Sequence, residues 1–209
     1  MEYEVIDSVE RLRELYDLPM ELAVKKQNRK LDKFSEQFIA LSSFSVLATS
    51  DLNGNMDCSP RGDYPGFIHT LDESTIALPD RPGNNRLDSL QNIIENPNVG
   101  LLTLIPGFAE CLRINGSAKL TTNPSLLARF EHRGKLPKSV LVISIQEIYF
   151  HCAKAITRSK LWDSESQLDR NIMPSLGKIL MQQIDPSKSE GEVKKVEELI
   201  EDRAKTTLY

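Results

Sequence analysis

Residues 44–60, FSVLATSDLNGNMDCSP, decide how the chain is read. Phe44 to Thr49 is short, apolar and rich in β-formers. Asp51 to Asn55 then places Asn53-Gly54 between two extended runs, the strongest short-range sign of a hairpin. Met56 to Pro60 becomes the returning strand, and Gly66 to Thr70 its continuation beyond SPRGDYPG.

Outward from this hairpin the β pattern persists. Ser74 to Leu78 is a further strand ended by Pro79, Val99 to Ile105 is fully apolar, and Pro106-Gly107 turns the chain. Glu110 to Leu120 alternates, as a strand with one wet face does. Ser139 to Phe150 is the longest β-run and leads into His151-Cys152. Between these runs, Arg86 to Glu95 is a helix with Leu87, Leu90, Ile93 and Ile94 inward. It stops at Asn96-Pro97, because the residue before proline disfavours helical geometry. Asn123-Pro124 caps a short helix through Glu131.

The ends are helical. Val5, Val9, Leu12 and Leu15 recur at helical spacing up to Leu18-Pro19. A second helix is expected from Met20 to Leu41, with Lys25, Lys26, Arg29, Lys30 and Lys33 as a solvated basic face. Together the N-terminal helices span about 5–41. A C-terminal helical extension covers about 172–205, with one helix from Pro174 to Ile184 and a charged one after Ser189. About six strands with helices mostly outside them predict a mainly β, α+β fold, an antiparallel barrel in a single domain over 1–209.

Composition narrows the function classes. The 209 residues are 40% apolar and 27% charged, with a formal net charge of −4. No global positive field recruits nucleic acid or an anionic membrane. Cys58, Cys111 and Cys152 are far apart and form no CxxC pair, which argues against a zinc module and a disulfide scaffold. The acidic, amphipathic start MEYEVIDSVERLREL is unlike a signal peptide, and no apolar run nears the roughly 18 residues of a membrane span. The expectation is a soluble cytoplasmic protein with no metal.

Three clusters combine arginine with loop formers: Cys58 to Asp63, Pro79 to Arg86, and Lys154 to Trp162. The second exposes backbone N–H groups just before a helix, where an anion is favoured, and Arg81 and Arg86 could clamp phosphate oxygens. Spacing alone favours a plainer reading, in which Asn84 or Asn85 caps the helix and both arginines are solvated. Arg61, read alone, is a loop arginine paired with Asp63. Trp162 stands among Lys160, Arg158 and Asp163 and suits a half-exposed stacking platform. His69, His132 and His151 are scattered and read as structural. Nucleophile-elbow, GxGxxG and Walker A patterns are absent.

In this order the motifs SPRGD (59–63), PDRPGNNR (79–86) with ENP (95–97), and HCxKAxxRSxLW (151–162) resemble the pyridoxamine 5′-phosphate oxidase-like flavoproteins. The resemblance covers roughly Phe34 to Asp163. It implies a six-stranded split barrel that dimerises, with FMN at the subunit interface. It implies that Arg61, and Arg86 with neighbouring Asn85, hold the phosphate, with Ser59 and Arg81 as further cofactor-binding residues. Pro79 and Asp80 would lie along the ring or ribityl chain, and Arg158, Ser159 and Trp162 would close the site from the partner subunit. The implied activity is an FMN-dependent oxidoreductase acting on a small organic substrate. Non-catalytic flavin or haem binding and deazaflavin-dependent reduction are the alternatives. Oxidases that form pyridoxal phosphate carry a basic run where this chain has Gly62-Asp63-Tyr64-Pro65-Gly66. They also end in an arginine- and histidine-containing clamp where this sequence has KTTLY, so pyridoxamine phosphate itself is not the expected substrate.

Overall fold

A computed structural model describes residues 3–209. Its elements are α1 (Val9–Leu15), α2 (Glu21–Lys25), α3 (Lys33–Leu41), β1 (Phe44–Ser50), β2 (Met56–Gly62), β3 (His69–Asp72), β4 (Thr75–Asp80) and α4 (Asp88–Glu95). They continue with β5 (Asn98–Leu104), β6 (Cys111–Thr121), α5 (Pro124–Ala128), β7 (Ser139–His151), α6 (Lys154–Ser159), α7 (Leu176–Ile184) and α8 (Glu190–Thr206). Among the described residues no helix is long and apolar enough to cross a membrane.

All strands join one antiparallel sheet in the order β2-β1-β5-β6-β7-β4-β3. The hairpin forms as expected, with Ala48 opposite Cys58 and Val46 opposite Pro60. Proline is tolerated there because β2 is an edge strand. Seven strands stand where six were expected, because Gly66 to Thr70 does not continue β2. Residues 63–68 instead carry the chain from one sheet edge to the other, where β3 pairs with β4. A link of that length reaches at most about 20 Å, so the two edges must curl toward each other, as in a split barrel. A register shift at Asn115/Gly116 helps β6 bend against β7. A Cβ on Gly116 would stand 2.3 Å from the Ser144 carbonyl oxygen, so glycine is required there.

The inward residues of the sheet, among them Leu47, Ile76, Leu112, Ile114 and Ile143, form the main core under Phe38 and Ile39 of α3 and Ile93 of α4. A smaller core joins Ala77, Phe130 and Val140 beside α5. Asn123 caps α5 through its side chain, as expected, accepting from the Ser125 and Leu126 amides.

The long helix expected from Met20 to Leu41 is broken at 26–32. Asn28 exchanges backbone bonds with Ile148 (2.9 and 2.8 Å), and the Leu31 amide donates to Glu73 at 2.7 Å. These tertiary bonds outweigh helix propensity, and Asp32 restarts the helix with a capping box closed by Ser35. The basic stripe is exposed, as expected, and two of its lysines also make surface contacts: Lys26 donates to the Phe150 carbonyl at 2.7 Å, and Lys30 pairs with Glu73.

Candidate functional site

Curling the sheet brings β2 opposite β4 and the start of α4, and a cavity of about 720 Å³ opens along this seam. Asp57, Ser59 and Arg61 alternate along β2, so their side chains share one face. Arg61 spans the seam: its Nη1 donates to Asp80 Oδ1 at 3.1 Å, and its Nη2 to Ser89 Oγ at 2.9 Å and Ser59 Oγ at 3.2 Å. Ser89 Oγ donates to Asp57 Oδ2 at 2.5 Å, so at the 2.8 Å contact with Ser59 it is the Ser59 hydroxyl that donates. Ser89 is 4% exposed and Arg61 20%. The Arg61 Nε is buried and has no partner.

Pro79 and Asp80 extend β4 beyond its pairing with β3 and bond only to β7, so the missing proline N–H costs no ladder bond. The loop that follows enters α4 by a strained path. Asn85 and Leu87 both adopt left-handed conformations, at φ 58° and 63°. For Leu87 this is a real outlier, costing on the order of 1–3 kcal/mol. Leu87 is the N-cap of α4, and no side chain caps the helix. The expected asparagine cap is therefore not formed: Asn84 Oδ1 accepts from the Arg86 amide at 3.0 Å instead. The uncapped helix start presents its partial positive charge to the cavity.

Arg86 stands at the rim with its side chain 73% exposed, its Nε donating to Asp88 Oδ2 at 2.8 Å. That bond holds the guanidinium more firmly protonated than usual. The expected pairing of Arg61 with Asp63 is not found. Asp63 opens the 63–68 link and pairs with Arg81 (2.6 Å), leaving Arg61 to Asp80. Burial raises the Asp63 pKa, but bonds from the Tyr209 hydroxyl, Arg81 and the Tyr64 amide outweigh it and hold the carboxyl below its ordinary range.

The first two arginine clusters thus meet in one cavity. The third does not line it. Arg158 and Ser159 end α6, where the Ser159 hydroxyl donates to the Ile156 carbonyl at 3.1 Å. Trp162, 36% exposed, donates through Nε1 to the Phe108 carbonyl at 2.6 Å, beside the turn between β5 and β6. His69 stacks on Phe130 (4.1 Å) and His132 on Tyr64 (4.8 Å), both structural as expected.

Sequence reasoning missed Asp57, Ser89 and Lys138, which also line the cavity. Asp57 was legible as the residue two before Ser59 on an alternating strand. Ser89 sits in the first turn of a helix beginning just after an arginine-rich loop, a position that faces any anion there. Lys138 carries no local signal and arrives only because β7 begins beside β4. Arg61, Arg81, Arg86 and Lys138 oppose Asp57, Asp80 and Asp88, so the lining is cationic by one charge before the helix terminus is added. Such a lining suits a phosphate ester with a polar, partly apolar remainder.

Residues 31–152, more than half of the chain, match the family described as pyridoxamine 5′-phosphate oxidase. The chain belongs to that family. No curated protein matches it. Similar solved structures include HupZ from Group A Streptococcus, 18% identical over 57% of this chain and 93% of that one, with a TM-score of 0.46. General Stress Protein 26 from Bacillus anthracis is 18% identical over 55% and 88%, at 0.42. An FMN-binding protein from Syntrophomonas wolfei is 16% identical over 55% and 82%, at 0.44.

Proposed function

We propose that the seam cavity receives the phosphate end of FMN and that the loaded protein is an oxidoreductase for a small organic substrate. The observation that carries this reading is the pairing of an uncapped α4 with a half-buried Arg61 whose buried Nε has no partner. Both are costs to the chain alone, and both are relieved by one oxyanion. Family membership, together with the three motifs, supports FMN as the group that brings the oxyanion.

In this reading Arg61 and the first amides of α4 bind the phosphate, while the Ser89 hydroxyl, its proton given to Asp57, accepts from Arg61 and Ser59 and holds the guanidinium in place. Arg86 turns from Asp88 toward the same oxygens, and Asn85 shapes the loop that carries it. Pro79 and Asp80 run beside the rest of the cofactor, and Asp80 holds Arg61 in its fork geometry. Bound FMN would supply the redox chemistry, and the protein would supply orientation, water exclusion and electrostatics. The second half of the site belongs to a homodimer, with Arg158, Ser159 and Trp162 covering the partner's cavity. Gly62 to Gly66 puts Asp63 where a basic run would be needed, so a substrate other than pyridoxamine phosphate fits this chain.

The test is an absorbance spectrum of the purified protein with mass spectrometry of the heat-released ligand. The paired near-ultraviolet and blue bands of oxidised flavin with the mass of FMN are expected. A colourless protein that also fails to take up added FMN would exclude the reading.

A further inference from the structure

The C-terminal residues return to the seam. α7 and α8 form a close hairpin: a Cβ on Gly177 would lie 2.8 Å from Glu197 Cγ and 3.1 Å from its Cα, and the Ser175 hydroxyl bonds the Glu197 carboxylate. Toward the end of α8, Ile200, Arg203 and Leu208 face Pro82, Gly83 and Asn84 across a cleft of about 430 Å³. The same three loop residues line the seam cavity. The loop is therefore a thin wall between site and tail.

Tyr209 anchors the tail to that wall. Its hydroxyl donates to Asp63 Oδ1 at 2.7 Å, and Arg81 Nε donates to Asp63 Oδ2 at 2.6 Å. One carboxylate thus joins the tail to the first residue of the loop. The Asp63 side chain is 1% exposed, so water competes little for either bond. The Tyr209 ring packs on His132 at 4.4 Å, and the guanidinium carbons of Arg81 and Arg133 each lie 5.6 Å from its centroid. Lys135 Nζ donates to the Tyr209 carbonyl at 2.5 Å. Beyond Arg81 the loop holds two left-handed residues, Asn85 and Leu87, a conformation that persists only when the surroundings impose it.

We infer that Tyr209 is a positioning residue for the site: through Asp63 it fixes Arg81, and the tail acts as a strap that keeps residues 81–87 in their strained, ligand-ready path. The functional half of this inference rests on the flavin reading above, whereas the strap itself is testable without any ligand. Tyr209 does not itself line the cavity, so it acts through Asp63 and Arg81.

Amide hydrogen exchange on the ligand-free full chain decides it. Tyr209→Phe keeps the ring packing and removes only the hydroxyl. Amides of 83–87 should exchange about tenfold faster, the loss of one charge-assisted bond, while those of β5 and β6 stay unchanged. Asp63→Asn should accelerate the same amides, and adding Tyr209→Phe to it should accelerate them no further. Parent-like exchange in Tyr209→Phe, or full additivity of the two changes, would overturn the strap. Should Asp63→Asn fail to fold, the Tyr209→Phe comparison decides alone. FMN release should then be about tenfold faster from Tyr209→Phe than from the parent. A faster loop with unchanged FMN release would overturn the functional half. A parent that takes up no FMN would defeat the flavin reading, and exchange would still judge the strap.

Discussion

At the seam, Arg61 reaches Asp80, Ser59 and Ser89 at once, with only a fifth of its side chain exposed. Beside the turn between β5 and β6, Trp162 has one hydrogen bond, to the Phe108 carbonyl, and stands 36% exposed. Both regions carry motifs of the same family resemblance. One is cross-braced within the chain, with a strained loop and an uncapped helix; the other is an aromatic surface with little holding it. A cross-braced polar cluster is rigid before its ligand arrives and loses little entropy on binding. A half-exposed tryptophan has apolar area still to bury. The contrast fits a site whose phosphate half is built in one chain and whose cover comes from another.

Substitutions on either side put that contrast at risk. Ser89→Ala should have the largest effect, because it takes from half-buried Asp57 its hydroxyl donor and from Arg61 one of its three acceptors. Urea unfolding should show a loss of about 2–3 kcal/mol, and a loss under about 0.5 kcal/mol would mean the seam is not braced as described. Arg86→Ala should leave stability unchanged, being exposed, yet weaken FMN binding by about 1.5 kcal/mol and riboflavin binding hardly at all. Equal losses would put Arg86 away from the phosphate. Trp162→Ala should cost about 1 kcal/mol of FMN affinity with the dimer intact; titrations in which it bound as tightly as the parent would remove the cover in trans. Leu87→Gly should give the smallest change, a gain of about 0.5–1 kcal/mol in thermal stability as the left-handed strain is relieved.

Acid sensitivity probes the braced half from another side. Asp63 has a depressed pKa in the folded chain, so the stability it contributes is complete above its unfolded pKa of about 4 and is lost as pH falls through the folded value. Asp63→Asn should flatten the acid limb of a stability-against-pH curve. An unchanged limb would show that the Tyr209–Asp63–Arg81 bonds contribute no net stability.

Much of this architecture is legible in the amino-acid sequence. Turn chemistry around Asn53-Gly54 announces the hairpin, the place of Asn123 before Pro124 announces its cap, and a setting among glycine, proline and asparagine marks the seam arginines. What stays hidden depends on distance in space. Nothing local marks 63–68 as a link between the two sheet edges, so the seventh strand was missed. Asn28 pairs with Ile148, far along the chain, so the break after α2 was missed as well. The partners of Arg61 and Arg81 were hidden for the same reason. Strain at Leu87 has no signature at all, since leucine normally avoids that conformation.

Everything proposed for the site depends on the seam holding the phosphate of FMN. Titration of the parent and of Arg61→Ala with FMN and with riboflavin measures this. The parent should prefer FMN, and Arg61→Ala should lose about 1.5–3 kcal/mol for FMN while its riboflavin affinity barely moves. An Arg61→Ala variant that kept the full preference for FMN over riboflavin would contradict a phosphate site at the seam.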